Sequence, residues 1–342
     1  KFKANINNMI HQEAKLVKNI FEKDKLEMTP TRNGYGKGMV RAGKENPKVV
    51  VLCADLTEST RSEYFQKEFP ERFIEMGVAE QNMAVVASGL AAGGKIPFIS
   101  SYAVFSPGRN FEQIRTTIAL NYEPVKIGGA HAGISVGPDG ATHQALEDIA
   151  LMRVLPNMTV LVPCDAIEAE KATYEAAKTD GPVYIRFARA GTPVFTTQDT
   201  PFEIGKALAF FEPKNKDKVD CAIIACGPLV YNAILAAKEL EDDGFSIAVI
   251  NNHTIKPMDQ EHIIKAAKKA GAIVTVEEHQ INGGMGSAVA EILAKNYPVP
   301  MEFIGVQNRF GESGEPDELI EKFGMGVNSI KQAARKVVER KK

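Results

Sequence analysis

The segment GGAHAGISVGPDGATHQALED, residues 128–148, combines histidines, an aspartate and many glycines in a pattern typical of neither a helix nor a strand. The titratable groups of this segment that could best take part in catalysis or binding are His131, Asp139 and His143. As metal ligands they would need a tighter spacing, such as two histidines four residues apart on a helix. Neutral imidazoles and a carboxylate suit hydroxyl recognition and proton transfer better. The glycines predict turns that let another molecule approach the backbone.

Glu80 is a second candidate, at the start of the segment EQNMAVVASGLAAGG. An acid in the first turn of a helix is often only a partner of the helix dipole. This helix, however, carries alanine and glycine at many positions, so it can pack closely against another helix. A carboxyl group at its head would then lie at a buried interface, where it can hold and share a proton away from water.

Aromatic and cationic side chains complete the set. Tyr102, Phe105 and Phe111 follow the strand-like segment KIPFIS and could form a hydrophobic pocket at its carboxyl end. Arginine and serine after strands or at helix starts could together bind a phosphate group. The residues in such positions are Arg32, Ser59 and Arg189. Asp55 follows a buried strand and is either a helix N-cap or a polar contact to a ligand, whereas Arg109 receives no role.

Short β-branched runs alternate with amphipathic segments, which predicts βαβ units and mainly parallel sheets covered by helices. The first series has strands at 48–53, 95–100, 124–129, 158–163 and 182–187, and helices at 80–92, 109–120, 144–152 and 165–178. The second series has strands at 220–227, 245–251, 272–278 and 301–305, and helices at 229–241, 259–270 and 285–295. Thr142 is a candidate N-cap for the helix that starts near His143.

The fold class is therefore α/β with two doubly wound domains. We predict a helical amino-terminal arm at 1–26, a first domain at 27–195, a linker at 196–204 and a smaller domain at 205–342. The linker is assigned because the segment after the first series is rich in threonine, proline and glycine.

Composition excludes some functions. The 342 residues carry a net charge of −2, which gives no electrostatic reason to bind nucleic acid or an anionic membrane. There is no apolar run of transmembrane length and no secretory signal pattern at the start. The four cysteines show no CxxC pairs, which favours buried, reduced thiols and a cytoplasmic protein.

Several ordered blocks together resemble the carboxy-terminal half of a transketolase, over about residues 27–340. These blocks are TPTRNGYG, CADLTEST, MGVAEQNM, HAGISVGPDGATHQALEDIALMRVLPNMTVLVPCD, GPVYIRFAR, TIKPMD and VTVEEHQINGGMGSAVAE. The resemblance implies a pyrimidine-binding thiamine diphosphate domain followed by a transketolase C-terminal domain. It also implies transfer of a two-carbon ketol unit between phosphorylated sugars, as in the pentose phosphate pathway.

The same resemblance implies roles for single residues. Glu80 would hydrogen-bond N1′ of the cofactor's aminopyrimidine and promote formation of the reactive ylid. Tyr102 and Phe105 would stack on that ring, Phe111 is a candidate for a third aromatic contact, and Asp55 would lie near the thiazolium.

The substrate would be held by the irregular loop and the arginines. His131 and His143 would contact the C1 and carbonyl oxygens of the donor sugar, and Asp139 would select the configuration of its C2 and C3 hydroxyls. The terminal phosphate would be bound by Arg32, Ser59 and Arg189.

One motif of the family is missing. Transketolases hold the cofactor's diphosphate and its cation with a Gly-Asp-Gly motif and a later asparagine in the amino-terminal half, and this chain contains no Gly-Asp-Gly. The resemblance therefore implies a split enzyme, inactive alone, in which an N-terminal transketolase subunit holds the diphosphate and Mg²⁺ or Ca²⁺. The helix after Glu80 is expected to mediate homodimerisation, which would give a heterotetramer.

Three alternatives remain open from the sequence. In 1-deoxyxylulose-5-phosphate synthases an Asp-Arg pair stands at the position of Ala130 and His131, and β subunits of 2-oxoacid dehydrogenases lack the GPDGATHQ form of the loop. A non-catalytic regulatory partner would keep the fold without the chemistry, which the retained set of Glu80, Asp139 and His143 argues against.

Overall fold

A computed structural model describes residues 9–215 and 218–341 of the chain. The strands of the first unit are β1 Met28–Thr29, β2 Val49–Cys53, β3 Phe73–Glu75, β4 Ile96–Tyr102, β5 Lys126–Ala130, β6 Thr159–Leu161, β7 Val183–Arg186 and β8 Thr192–Pro193. Its helices are α1 Thr31–Glu45, α2 Glu63–Glu68, α3 Glu80–Ala92, α4 Phe111–Gln113, α5 Asp148–Val154 and α6 Ala166–Ala176. The strands of the second unit are β9 Leu208–Phe211, β10 Cys221–Ala225, β11 Ile247–Asn251, β12 Thr254–Lys256, β13 Ile273–Gln280 and β14 Met301–Val306. Its helices are α7 Leu229–Asp242, α8 Gln260–Ala270, α9 Met285–Asn296, α10 Pro316–Lys322 and α11 Val327–Glu339.

The described residues form two large sheets and one small ribbon. The first sheet has the strand order β12-β6-β7-β5-β4-β2-β3, in which all strands except β12 are parallel. The second has the order β14-β13-β10-β11-β9, with an antiparallel edge strand β9. The ribbon pairs β1 with β8. This topology confirms the predicted α/β class.

The second unit also contributes a strand to the first sheet. β12 pairs antiparallel with β6, so that Thr254 lies opposite Leu161 at the edge of the sheet. Next to this pair, the amide of Val162 donates to the carbonyl of His253 at 2.8 Å. The predicted linker at 196–204 therefore separates two regions of sequence that share one sheet.

Helix α1 was not among the predicted elements because its sequence, TRNGYGKGMVRAGKE, is unusually rich in glycine. Two of these glycines, Gly34 and Gly38, allow close packing against α6. A Cβ atom at Gly34 would collide with the carbonyl of Ala166, and one at Gly38 would lie 2.5 Å from Cβ of Thr173. Helix α1 can therefore lie directly on α6, and it carries Arg32 in its first turn.

The amino-terminal arm differs from the predicted helix. Residues 1–8 lie outside the described residues, and the rest of the arm contains two short 3₁₀ helices, Gln12–Ala14 and Lys23–Lys25. Ile20 is fully buried, and its carbonyl accepts a hydrogen bond from the Tyr231 hydroxyl at 2.9 Å. The described part of the arm is thus an irregular strap packed on the second unit.

Two predicted helices also differ in detail. The helix expected to start near His143 begins at Asp148, so Thr142 is not its N-cap. Thr142 Oγ1 instead lies 2.9 Å from His143 Nδ1. The helix predicted at 109–120 is α4 followed by a π-helix, Ile114–Ala119.

Candidate functional site

The candidate site lies at the carboxyl edge of the first sheet, where open α/β folds bind their ligands. The adjacent parallel strands β4, β5 and β7 all end at this edge. Tyr102 and Phe105 lie at and after the end of β4, His131 follows β5 and Arg189 follows β7. The sheet therefore brings together residues that are far apart in the sequence.

Glu80 begins α3, and its side chain is 2% exposed. Arg109 Nη1 donates to Glu80 Oε2 at 2.8 Å, and Asn110 Nδ2 donates to the Glu80 carbonyl at 3.1 Å. Burial was expected from a second helix across an interface, whereas here the turn after β4 already provides it. Arg109 also gives the carboxylate a charged partner within the same chain.

Tyr102 and Phe105 form a stacked pair, with ring centroids 6.2 Å apart and an interplanar angle of 20°. The Arg109 guanidinium carbon lies 5.0 Å from the centre of the Phe105 ring, which connects the pair to Glu80. Phe111 is not part of this stack, since it begins α4 and packs, partly buried, against the hydrophobic core. Two of the three predicted aromatics are thus connected to Glu80 through Arg109.

His131 is 2% exposed and has a left-handed backbone, with φ of 53°. Arg32 Nη1 lies 3.0 Å from His131 Nε2. Because arginine only donates, Nε2 must accept, and the proton of a neutral ring then sits on Nδ1. Burial, followed by the charges of Arg32 and Arg189, lowers the pKa of His131 to about 3, so the ring is neutral at physiological pH. Its buried Nδ1 has no hydrogen-bond partner among the described residues.

Both histidines of the loop face the aromatic pair. The His131 ring stacks on Tyr102, with centroids 4.0 Å apart and an interplanar angle of 21°. The His143 ring meets Phe105 edge-on at 5.7 Å and Tyr102 at 6.1 Å. The structure therefore brings the two predicted catalytic histidines against the same pair of aromatic rings.

Arg32 is the centre of a cationic cluster. Its Nη1 donates to the Ser59 carbonyl at 2.8 Å, so Ser59 takes part here through its backbone. Burial, and then the charges of Arg61 and Arg189, lower the pKa of Arg32. Converging guanidinium groups are typical of a site that recognises phosphate.

Asp139 and Arg189 lie at the more exposed rim. Arg189 Nη1 donates to the Val136 carbonyl at 2.9 Å, and its Nη2 lies 4.0 Å from Asp139 Oδ1. Asp55 is exposed beyond the end of β2, with φ of 58°, and its amide donates to Glu75 Oε1 at 2.8 Å. This contact of Asp55 connects it to the end of β3 rather than to the aromatic pair.

The sequence analysis missed Arg61, Arg109 and Asn110 as parts of the site. A signal was present for the last two, because they lie one helical turn beyond Phe105. The Arg109 amide indeed donates to the Phe105 carbonyl at 2.9 Å. Side chains one turn apart on such a segment point to the same side.

Within residues 9–215 and 218–341, histidine, cysteine and acidic side chains form no group of three or more that could hold a metal ion. No helix in that part of the chain is long and apolar enough to cross a bilayer.

Two family models match successive parts of the chain. They are the transketolase pyrimidine binding domain over residues 27–193 and the transketolase C-terminal domain over residues 213–330. A Methanocaldococcus jannaschii protein whose name describes a transketolase C-terminal section is 44% identical over 314 residues, which make up 91% of this chain and 96% of that protein. The chain belongs to the transketolase family. The resemblance drawn from the sequence blocks is thereby confirmed.

Other transketolases differ in how much of them the chain covers. The 6-deoxy-6-sulfo-D-fructose transketolase subunit SqwH of Clostridium sp. is 39% identical over 93% of this chain and 97% of that subunit. Human transketolase is 36% identical over 90% of this chain but only 49% of the human protein. A solved structure described as a split gene transketolase, an inactive beta4 tetramer, aligns with a TM-score of 0.85 and 46% identity over 92% of this chain and 100% of that one. The chain thus spans about half of the human transketolase and nearly all of the split forms.

Membership of the transketolase family implies dependence on thiamine diphosphate. The aminopyrimidine end of that cofactor fits the residues of this chain, because Glu80 supplies a buried carboxylate that Arg109 connects to the stacked rings of Phe105 and Tyr102. The diphosphate end does not have an equivalent fit, since the sequence lacks Gly-Asp-Gly and the described residues contain no group of three or more histidine, cysteine or acidic side chains that could hold its cation.

Proposed function

We propose that this chain is the pyrimidine-binding and substrate-binding subunit of a transketolase that acts together with a second chain. The assembled enzyme would transfer a two-carbon ketol unit from a phosphorylated ketose to an aldose acceptor. The observation that carries the proposal is the buried Glu80 carboxylate, which Arg109 connects to the Phe105 ring, on the sheet edge that also bears His131 and His143. A buried carboxylate and a buried histidine at the carboxyl edge of one parallel sheet are typical of a catalytic site.

The cofactor side of the site is proposed as follows. Glu80 would hydrogen-bond the N1′ position of the aminopyrimidine and hold or release a proton there, away from bulk water. Tyr102 and Phe105 would enclose the ring, and Asp55 would approach the thiazolium side. When bound, thiamine diphosphate supplies the carbon nucleophile and the electron sink of the reaction.

The substrate side is proposed to divide its work between two histidines. His143 borders Phe105 and would bind and protonate oxygens at the reacting end of the donor sugar. The resemblance gives His131 the same role, and its Nε2 faces Arg32. We propose that Arg32 orients the His131 ring toward the C1 and carbonyl oxygens of the donor sugar. Asp139 would select the configuration of the C2 and C3 hydroxyls.

The terminal phosphate of the sugar is proposed to bind in the cationic cluster. Guanidinium groups match phosphate oxygens with paired N–H donors. The residues proposed for this role are Arg32, Ser59 and Arg189.

A second subunit is proposed to hold the diphosphate and Mg²⁺ or Ca²⁺. The missing Gly-Asp-Gly motif and the near full-length match with a transketolase C-terminal section support this. Pairing of two copies through α3 is proposed because Gln81, Val85, Gly89 and Ala92 form an exposed stripe of its surface, next to Val78, which is 70% exposed. The four cysteines are free and buried, which suits the proposed cytoplasmic location.

Reconstitution tests this function. The chain, mixed with a diphosphate-binding transketolase subunit, thiamine diphosphate and Mg²⁺, is expected to transfer a ketol unit from xylulose 5-phosphate, and neither subunit should do so alone. Turnover by the isolated chain would refute the split arrangement. Pyruvate as the better donor, unaffected by His131→Ala, would instead support a chemistry of the 1-deoxyxylulose-5-phosphate synthase or 2-oxoacid dehydrogenase type. Binding without any turnover would support a regulatory partner.

A further inference from the structure

The loop of residues 131–143 carries three proposed substrate residues but contains little regular structure. Its core is a distorted 3₁₀ helix, Ile134–Asp139, broken at Gly137, where φ is 80°. Gly133 and Gly140, which flank this helix, also have positive φ values of 93° and 73°. A segment with this backbone needs contacts from outside to keep its side chains in a fixed position.

The second unit supplies such contacts. The amide of Ser135 donates to Glu278 Oε1, at the end of β13, at 2.5 Å, and Glu278 is 3% exposed. Gln144 Nε2 donates to the Ile134 carbonyl at 3.0 Å and to the Glu312 carbonyl at 2.9 Å. The second contact ties the loop to the segment that precedes α10.

The glycines of the loop show how closely the two units fit. A Cβ atom at Gly133 would collide with the Glu278 carboxylate. One at Gly140 would lie 2.5 Å from Ser313 Oγ. Both ends of the 3₁₀ helix are therefore pressed against the second unit, and Glu278 fills the space that Gly133 leaves open.

Glu278 differs from its neighbour on β13. Side chains of consecutive strand residues point to opposite faces of the sheet. Glu277 accepts hydrogen bonds from the amides of Met285 and Gly286, at the start of α9, at 2.7 and 2.8 Å. Its contacts therefore lie within the second unit. Burial raises the pKa of both carboxyl groups, so both positions are unfavourable for a charge. In the case of Glu278, the hydrogen-bond donor that compensates is the loop.

The strand that carries Glu278 is itself anchored on the first unit. Arg186 Nη2 donates to the Glu278 carbonyl at 2.8 Å, while Arg186 Nε donates to Asp148 Oδ2 at 2.8 Å. The Gln280 amide donates to the Leu146 carbonyl at 2.8 Å. The end of β13 therefore has a fixed position relative to both ends of the loop.

We propose that Glu278 is a positioning residue for the substrate, because its carboxylate fixes the loop that presents His131, Asp139 and His143. The second unit would thus take part in substrate recognition through contacts behind the loop. This inference rests on the proposed function for the identity of the substrate, but the contact itself can be tested independently of it.

Three variants of the full chain separate positioning from folding. Glu278→Ala removes the acceptor, Glu278→Gln keeps an acceptor oxygen, and Glu277→Ala removes a matched buried carboxyl from the same strand. Amide hydrogen exchange of residues 133–140 is measured first on the isolated chain. Ketol transfer and thiamine diphosphate affinity are then measured on each variant assembled with the partner subunit and Mg²⁺.

We expect exchange at the Ser135 amide to rise about tenfold or more in Glu278→Ala, because the protecting hydrogen bond is lost. Glu278→Gln should restore protection, and Glu277→Ala should lower the melting temperature without changing exchange in the loop. In the assembled enzyme, Glu278→Ala should lower kcat/KM for xylulose 5-phosphate by about 10- to 100-fold through misplaced contacts. Cofactor affinity should stay unchanged, because Glu80 lies on a different element.

Unchanged exchange in Glu278→Ala would overturn the inference. Equal loosening of the loop by Glu277→Ala would also do so, since the effect would then be general destabilisation. A loosened loop with unaltered kcat/KM would show that the contact is structural only. A wild-type complex that transfers no ketol unit would instead refute the proposed function, and the exchange data would still decide whether Glu278 holds the loop.

Discussion

The two sides of the candidate site are built in different ways. Glu80 begins a regular helix and is held by Arg109 and Asn110 from a turn of the same unit. The loop of residues 131–143 has an irregular backbone and is held by Glu278 from the other unit. Under the proposed roles, proton chemistry and substrate recognition would depend on separate parts of one chain. Substitutions on the first side should remove the reaction, whereas those on the second should change which substrate is bound and how well.

The largest effect is expected for Glu80→Ala on the cofactor side. In the assembled enzyme it should lower kcat by about a thousandfold, because a buried proton donor and acceptor is lost. Steady-state ketol transfer from xylulose 5-phosphate measures this effect. Glu112→Ala, which removes an exposed glutamate near the start of α4, is the control and should be neutral. Full activity of the Glu80→Ala variant would contradict the claim that the cofactor side carries out the proton chemistry through Glu80.

The support of the loop side is tested by Arg186→Met. Arg186 and Asp148 form a buried ion pair at 2.8 Å, and the substitution leaves the Asp148 carboxylate without its cation. We expect the free energy of unfolding to fall by about 3–5 kcal/mol, as measured by denaturant titration. Lys238→Met breaks a pair with Asp242 near the surface and should cost less than about 1 kcal/mol. Similar losses in the two variants would contradict a structural role for the buried pair.

Asp139→Asn addresses recognition on the loop side. It keeps the size of the side chain but removes the charge that lies 4.0 Å from Arg189 and that is proposed to select the sugar hydroxyls. A decrease in kcat/KM of about a hundredfold for the preferred sugar is expected, together with weaker discrimination against its C3 epimer. Asp317→Asn, at a side chain that is 95% exposed, provides the control. A parallel loss of thiamine diphosphate affinity in Asp139→Asn would mean that the two sides are not separate.

Arg32→Met should act on phosphate recognition alone. Loss of a charged donor to a phosphate is expected to raise KM for the phosphorylated sugar between about tenfold and a hundredfold. The unphosphorylated form of the same sugar should react as before. Lys37→Met removes an exposed cation from the same helix and should have no effect. An equal penalty for both sugars would show that Arg32 acts mainly by holding His131.

The smallest effect concerns the pH dependence of the free energy of unfolding. It is expected at Glu168, where the two units are in contact. Asn251 Nδ2 donates to its Oε1 at 2.6 Å, and burial raises the pKa of Glu168 to about 7. The ordinary pKa of this group is 4.5. At pH values between 4.5 and about 7, the folded chain therefore keeps a proton on Glu168 that the unfolded chain has already lost. The free energy of unfolding due to this group should fall by about 1 kcal/mol as the pH rises from 6 to 7. Denaturant titrations at pH 5 to 8 should show this slope in the wild type relative to Glu168→Gln, and identical slopes would contradict it.

Much of the fold follows from the sequence because buried parallel strands appear as continuous apolar runs. Helix α3 was predicted with the bounds that the structure has, and β2 within one residue. Helix α1 could not be predicted in this way, since its glycines are explained only by the close approach of other parts of the chain, α6 at Gly34 and Gly38 and the α2 region at Gly36 and Gly43. The prediction of a helix start near His143 was wrong, because the helix begins at Asp148 and the side chain of Thr142 contacts His143 instead of capping it.

The candidate site was predictable where topology alone brings residues together. Tyr102 and His131 meet because the carboxyl ends of neighbouring parallel strands share one edge. The contact of Ser135 with Glu278 spans 143 positions in the chain and depends on how two units pack. No local pattern records such packing, and we accordingly predicted no site residue in the second unit.

The strand β12 has a consequence for how this polypeptide can be cut. It covers the backbone of β6 at the border of the first sheet, although it is encoded almost a hundred positions later. A protease nick or an engineered break followed by loss of the downstream fragment would strip away that cover. The bare amides and carbonyls would then recruit foreign extended chains, and the upstream fragment would precipitate. The chain therefore has to stay unbroken between the two sheets for the first sheet to keep a covered edge.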